Sequence, residues 1–291
     1  MPHPVNERAT DVARPSPATR RDAPLSGGAR RASRPGGAIL RLALRLVTVL
    51  GGLVAAWWAL VAVTAPPPVL LPGPDRVAAA LVARFPALMA DAAITGGEIL
   101  VGLALGVALG MATALLTGLL PWTTRLVQPV VVVLQALPVF AIAPVLVLWL
   151  GFGLASKVVM AAIVIFFPVA SSLADAVSRA DPGLLDLARL HRASTAQVFR
   201  HIRLPGAVPG LVSGLRMAAT LAPIGAIIGE WVGASSGLGL TMMHANARMQ
   251  TDVMFAALVL VAVMALALRL AVDLLTRRWA PWAPETGGTL L

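Results

Sequence analysis

Two carboxylates stand where carboxylates are costly. Glu98 lies about six residues into one long apolar run and Glu230 near the end of another. A charge in hydrocarbon costs at least a few kcal/mol, so each needs a reason to be there. One use is contact with a polar or cationic group of a solute, in a cavity or gate between helices. The plainer alternative is a structural hydrogen bond, or a carboxylate reaching the interface. Trp231 adjoins Glu230, and Gln135 and Pro138 lie in a third apolar run with Gln128, Pro129 and Pro144. Proline removes a backbone N–H bond and frees carbonyls that a water-lined cavity can satisfy. Glu98, Gln135, Pro138, Glu230 and Trp231 are therefore candidates for the wall of a pathway, with kinks for packing as the alternative for the prolines. Asp175 and Arg179, and Arg269 and Asp273, are spaced four apart and read as ion pairs within a helix.

Enzyme chemistry finds little support. There is no cysteine, which excludes disulfides, thiolate metal sites and cysteine nucleophiles. No G-x-x-x-x-G-K-[ST] or H-E-x-x-H occurs, and no serine stands in G-x-S-x-G. His3, His191, His201 and His244 are scattered. The chain reads as neither an enzyme nor a cofactor binder, and any ATP must be handled by another protein.

A different kind of site lies between two apolar runs. Residues 181–209 read DPGLLDLARLHRASTAQVFRHIRLPGAVP and include Arg189, Arg192, Arg200 and Arg203. Asp181 before Pro182, and Ser194, are helix-start signals. They predict short helices over Pro182–Leu190 and Ser194–Arg203, the second ended by Leu204-Pro205. Such a pair, with basic flanks, is a surface that a partner protein can dock on and push.

The elements holding these residues follow from composition. Of the 291 residues 58% are hydrophobic and 12% charged, with a mean hydropathy of +0.85. A soluble domain is nearer half apolar and a quarter charged. Six apolar segments can each cross a bilayer, at about 38–63, 92–118, 126–150, 155–177, 211–232 and 252–276, within a membrane domain over 38–282. The expectation is an all-α, polytopic membrane protein. Residues 1–37 read as a disordered basic tail, 283–291 as a short C-terminal tail, and 74–90 as an amphipathic helix on the membrane surface. The net charge of +10 sits in the tail and in loops beside apolar spans, so it reads as topology rather than nucleic-acid binding. With both termini inside, nineteen basic residues fall on the inner side; Arg76, Arg84, Lys157 and Arg248 make four on the outer. That bias puts the termini and the 178–210 segment in the cytoplasm. Gly102, Gly106 and Gly110, and Gly210, Gly214 and Ala218, form stripes of small residues. They suit close helix approach, inside the bundle or between subunits.

The 181–205 segment resembles the EAA loop of inner-membrane permease subunits of ABC importers, which reads E-A-A, three residues, Gly, nine residues, I-x-L-P. Here Asp186-Leu187-Ala188, Arg192 at the glycine position, and Ile202-Arg203-Leu204-Pro205 match that spacing. The similarity covers nearly all of 69–282. It looks closest to the nitrate, sulfonate and taurine group, through LLPGPDRV, LVLWLGFGLASK and GEWVGASSGLGLTMMHANARMQTD. ALPVFAIAPVLVLW and GEWVGASSGLG…HANARMQTD look most like permeases for pyrimidine precursors of thiamine. The resemblance implies a six-span permease in the bacterial inner membrane. Its partners would be a second permease subunit, cytoplasmic ATPases docked on Asp186, Leu187, Ala188, Arg192, Ile202, Leu204 and Pro205, and a periplasmic or lipid-anchored binding protein. The solute would be a pyrimidine precursor of the hydroxymethyl or formylamino type, or else a sulfonate, taurine or nitrate. The family's loop glycine allows a sharp turn at positive φ. With Arg192 there, the expectation is that the turn is made differently or that the two helices run together; an acidic ATPase surface meeting Arg192 is one consequence. The rival class is a self-contained secondary transporter or channel. No internal repeat favours it, and it leaves the basic loop unexplained.

Overall fold

The computed structural model describes residues 35–282, in which the regular elements are all helical. Of the expected 1–37 tail, residues 1–34 lie outside the described residues, as does the 283–291 tail, and residues 35–37 open the first helix. Helix α1 (Pro35–Thr64) ends before Pro66-Pro67-Pro68. Trp57 anchors it on Phe255 at a ring separation of 5.7 Å, while Leu53, Trp58 and Val63 stay exposed. Helix α2 (Pro74–Ala83) is shorter than the expected 74–90. Pro86 has no N–H to give back to the preceding turn, so the chain breaks at Arg84 and restarts as α3 (Phe85–Leu119). At 1.5 Å per residue α3 is about 52 Å long.

The third expected span is not one helix. It is α4 (Pro121–Ala136) and α5 (Val139–Leu150), broken at Leu137-Pro138. A residue before proline is pushed out of the α region, and Leu137 is extended at φ −72°, ψ 132°. Pro129 and Pro144 stay within their helices. Next come α6 (Leu154–Ser178), α7 (Pro182–Leu190), α8 (Thr195–Val198), a π-turn over Phe199–Arg203, α9 (Leu204–Gly233), α10 (Leu238–Ala247) and α11 (Thr251–Thr276). Five helical stretches are long and apolar enough to cross a membrane, and Val139–Leu150 is a shorter apolar helix.

Leu204-Pro205 does not end the second short helix, as the sequence suggested. Helical backbone runs from Thr195 through the π-turn to Gly233. A proline ring at 205 would strike the carbonyl of His201 in a regular α-turn. The wider π-turn takes up one extra residue there, and the helix passes through.

The core centres on α6, held between α3 and α9. Ala161 is fully buried; a Cβ on Gly102 of α3 would come within 2.6 Å of its methyl, and one on Gly225 of α9 within 2.9 Å of its Cα. A Cβ on Gly106 would come as close, within 2.7 Å of the Ala162 carbonyl oxygen. The small-residue stripes thus pack the interior of one chain: at these glycines α3 and α9 approach α6 too closely for a side chain. One layer along, Ile165 fills the space between α3 and α9 with Val169, Ala218 and Ala222. Arg216 of α9 reaches Asp273 of α11 at 2.7 Å, and Arg269 approaches the same carboxylate at 3.6 Å. The expected Arg269–Asp273 pair is therefore part of a triad, with two half-buried arginines on a buried carboxylate, that ties α11 to α9.

Candidate functional site: a docking loop and a buried polar cluster

The 181–205 segment is built from caps. Asp181 accepts the Gly183 N–H at 2.7 Å and starts α7 with Pro182 behind it. Ser194 and Gln197 form a reciprocal capping box at the start of α8. Between them, the Arg192 N–H donates to Arg189 O at 3.0 Å and the Ala193 N–H to Ala188 O at 2.9 Å. These are the two bonds of a Schellman motif, whose C′ residue must be left-handed. Arg192 holds that position at φ +52°. The turn is thus made in the glycine's way by an arginine, and the two helices stay separate.

Helix α7 turns Ala188 inward, with Leu185 half-buried beside it. Leu184, Leu187 and Leu190, at three-residue spacing, form a stripe that runs from beside Ala188 round to the outer side of the helix, at 48%, 51% and 81% exposure. Asp186 bonds Arg189 at 2.6 Å, which neutralises that arginine, and Arg192 and Arg200 are exposed. Ile202 and Arg203 are half-buried in the π-turn, Leu204 and Pro205 exposed at the start of α9. The loop thus presents an apolar stripe beside unneutralised positive charge.

At the far end of α9, polar side chains of three helices converge. Glu98 of α3 pairs with Lys157 of α6, both buried. Lys157, counted among loop charges from the sequence, is inside the bundle; a Cβ on Gly229 of α9 would be 3.0 Å from its Cα. Glu230 is also buried. Its carboxylate accepts the Thr95 hydroxyl at 2.6 Å and the Gly239 N–H. Thr95 in turn accepts the Leu238 N–H at 2.9 Å, and Asp91 accepts the Gly237 N–H at 3.3 Å and the Thr241 hydroxyl at 2.6 Å. These N–H groups are the orphan donors of the first turn of α10, which has Gly237 at its N-cap and no side-chain cap of its own. Gly237 stands at φ +123°, and the Glu230 carboxylate fills the space a Cβ would need there and at Gly239.

Of the five candidate pathway residues, two are therefore inside the bundle. Glu98 and Glu230 share a cluster, each buried against its partners. Gln135 and Pro138 are exposed at the α4–α5 break, and Trp231 stacks on Phe140 at 6.2 Å on an accessible face. Gln135 lines an open groove of about 310 Å³ between α3, α4 and α6, with Thr113, Thr117, Gln128, Ser171 and Asp175. Asp175 also pairs with Arg179 at 3.4 Å, as its spacing predicted. Sequence reasoning missed Asp91, Thr95, Lys157 and the glycines at 237 and 239. The signal was present: Asp91, Thr95 and Glu98 share one face of a helix at 3.6-residue period, and the chain's sole lysine stands at the start of an apolar span.

Comparison with known proteins places this architecture. Residues 106–281 match the family described as binding-protein-dependent transport system inner membrane component. A probable ABC transporter permease protein of Haemophilus influenzae is 41% identical over 236 residues, 81% of this chain and 96% of that one. The putative aliphatic sulfonates transport permease protein SsuC of Escherichia coli is 33% identical over 80% of this chain and 89% of its own length. The formylaminopyrimidine transport permease protein ThiX of Halalkalibacterium halodurans is 31% identical over 59% of this chain and 69% of its own. The fold is also that of an inward-facing MetNI methionine ABC transporter chain, at a TM-score of 0.58 and 21% identity, over 67% of this chain and 97% of that one. With its membrane-spanning helices around α6, the chain belongs to the binding-protein-dependent transport system inner membrane component family and is a multi-pass permease subunit of an ABC importer.

Proposed function

We propose that α7 and the π-turn are where a cytoplasmic ATPase docks, and that α9 carries the resulting motion across the membrane. The observation behind this is the exposed Leu184, Leu187 and Leu190 stripe of α7, joined through the tight Arg192 turn to the helix that runs on as a membrane span. Apolar side chains on a water-facing helix end mark an interaction surface. In this reading Asp186, Leu187, Ala188, Arg192, Ile202, Leu204 and Pro205 form the coupling loop, the termini face the cytoplasm, and two copies of the chain enclose the pathway. Arg192 and Arg200, exposed beside the leucines, call for an acidic rim on the ATPase. Replacing Leu187 with Asp should abolish ATPase copurification while the permease still inserts. Undiminished copurification would sink the docking assignment.

The solute handed over by the binding protein is a pyrimidine precursor of thiamine, of the hydroxymethyl or formylamino type. Hydroxyl and amide groups line the Gln135 groove, and these pair with the ring nitrogens and exocyclic groups of a neutral heterocycle. The exposed Phe140–Trp231 stack offers a flat apolar face to such a ring. Among the described residues no arginine or lysine lines the groove, whose charged side chain is Asp175, which counts against a bare sulfonate or nitrate. The second reading, a sulfonate or taurine, has the longer similarity to SsuC behind it. Calorimetry on the cognate binding protein with formylaminopyrimidine, taurine, an alkyl sulfonate and nitrate decides between them. Tight binding of an anion with no binding of the pyrimidine would overturn the first reading.

A further inference from the structure

We infer that Glu230 is a positioning residue that makes α10 move with α9, so that a push on the coupling loop reaches the opposite mouth of the permease. The inference rests on the docking reading only for the origin of the push. The mechanical link itself stands on the geometry around α10.

Helix α10 starts without a cap of its own. Gly237 has no side chain to turn back on the first N–H groups, and Leu238 and Gly239 offer none either. Three side chains from other helices do this work: Asp91 takes the Gly237 N–H, Thr95 the Leu238 N–H and Glu230 the Gly239 N–H. Two of these acceptors are carboxylates at the positive end of a helix dipole, where negative charge is favoured. Thr95 is the pivot. Its hydroxyl donates to Glu230 while accepting from Leu238, so α3, α9 and α10 meet at one oxygen. Donors left unmet in a buried site are costly, so α10 holds its place only while α3 and α9 keep theirs.

The other sides of the cluster are equally fixed. Gly229, next to Glu230, sits directly on Lys157 of α6, and Lys157 is held by Glu98 of α3, one turn from Thr95. The glycines at 237 and 239 fit the same account, because any Cβ there would displace the Glu230 carboxylate. The 195–233 helix therefore has a docking surface at one end and, at the other, a side chain that grips the next helix. A tilt of α9 displaces the start of α10 by the same amount.

The chain contains no cysteine, so introduced cysteines label cleanly. The full-length permease in nanodiscs, with Asn246→Cys on α10 and Leu100→Cys on α3, both exposed sites, gives an interspin distance by pulsed electron paramagnetic resonance. One narrow distance is expected in the parent and in Glu230→Gln, and a broadened one in Glu230→Ala and in Thr95→Val. In the complete transporter, the ratio of solute moved to ATP hydrolysed should fall about tenfold in Glu230→Ala, the size of change such linking contacts carry, and be largely restored in Glu230→Gln. Thr95→Val removes only a hydroxyl and retains the shape, which covers the case in which Glu230→Ala does not fold. A narrow distance in both disrupted variants overturns the inference, as does transport falling strictly in proportion to ATP hydrolysis. Failure of the docking reading shows separately, as ATP-driven uptake that survives Leu187→Asp.

Discussion

At the scale of single residues, a side chain's surroundings decide its role more than its type does. Arg192 adopts the left-handed backbone of a Schellman C′ position, which costs an L-residue with a Cβ about 1–2 kcal/mol. Arg192→Gly should therefore stabilise the loop by about 1 kcal/mol, partly offset by glycine's greater freedom when unfolded. Slower hydrogen exchange at the Arg192 and Ala193 amides would report it, and faster exchange would contradict it. Glu98 and Lys157 make the opposite case. Removing one partner of a buried pair strands the other charge at about 3–5 kcal/mol. Lys157→Met should destabilise the permease strongly, and Lys157→Met with Glu98→Leu much less, as read by thermal unfolding in detergent. Equal losses in the single and double variants would refute the pairing. The sequence made Glu98 and Glu230 visible as costly acids, but not their partners. Lys157 is far from Glu98 along the chain, and only the packing of α6 on α3 brings them together. Arg192 was recognisable as an oddity; its backbone angle was not, because nothing in an arginine announces positive φ.

At the scale of elements, the ends of helices were less legible than their bodies. The apolar runs marked the membrane segments because a bilayer imposes a minimum length. Prolines were harder, since the same residue broke the chain at Pro138, opened α2 and α7 from their N-termini, and was passed over at Pro205. At Pro205 the turn before it is widened into the π-turn over Phe199–Arg203. Pro205→Ala should let the π-turn over Phe199–Arg203 relax to α-helix, turning the coupling segment by about 100° per residue relative to α9. ATPase copurification would then weaken although α9 still inserts; unaltered copurification would show that the π-turn is dispensable. The α3–α6 contact is more easily judged. Gly106→Ala drives a methyl into the Ala162 carbonyl and Ile165, at a cost of about 1–3 kcal/mol for overpacking. A lowered unfolding temperature is expected, and an unchanged one would mean the helices can part without loss.

At the scale of the whole molecule, orientation is the open prediction. The bias of basic residues predicts that the proposed coupling loop and both termini face the cytoplasm, and α10 lies at the other end of α9. In spheroplasts, a membrane-impermeant maleimide should label Asn246→Cys from outside and reach Leu187→Cys only after lysis; the reverse pattern would invert the topology. The continuous helix from Thr195 to Gly233 also constrains how this gene can change. A residue added to or deleted from the 65–73 connection shifts no neighbouring helix face. A residue added to or deleted from 206–228 turns the π-turn side chains of the proposed docking segment about 100° out of phase with Glu230, and two such changes would nearly reverse them. The length of that stretch is thus a timing element in space, and variation in it should be confined to steps that restore phase, near whole turns of the helix.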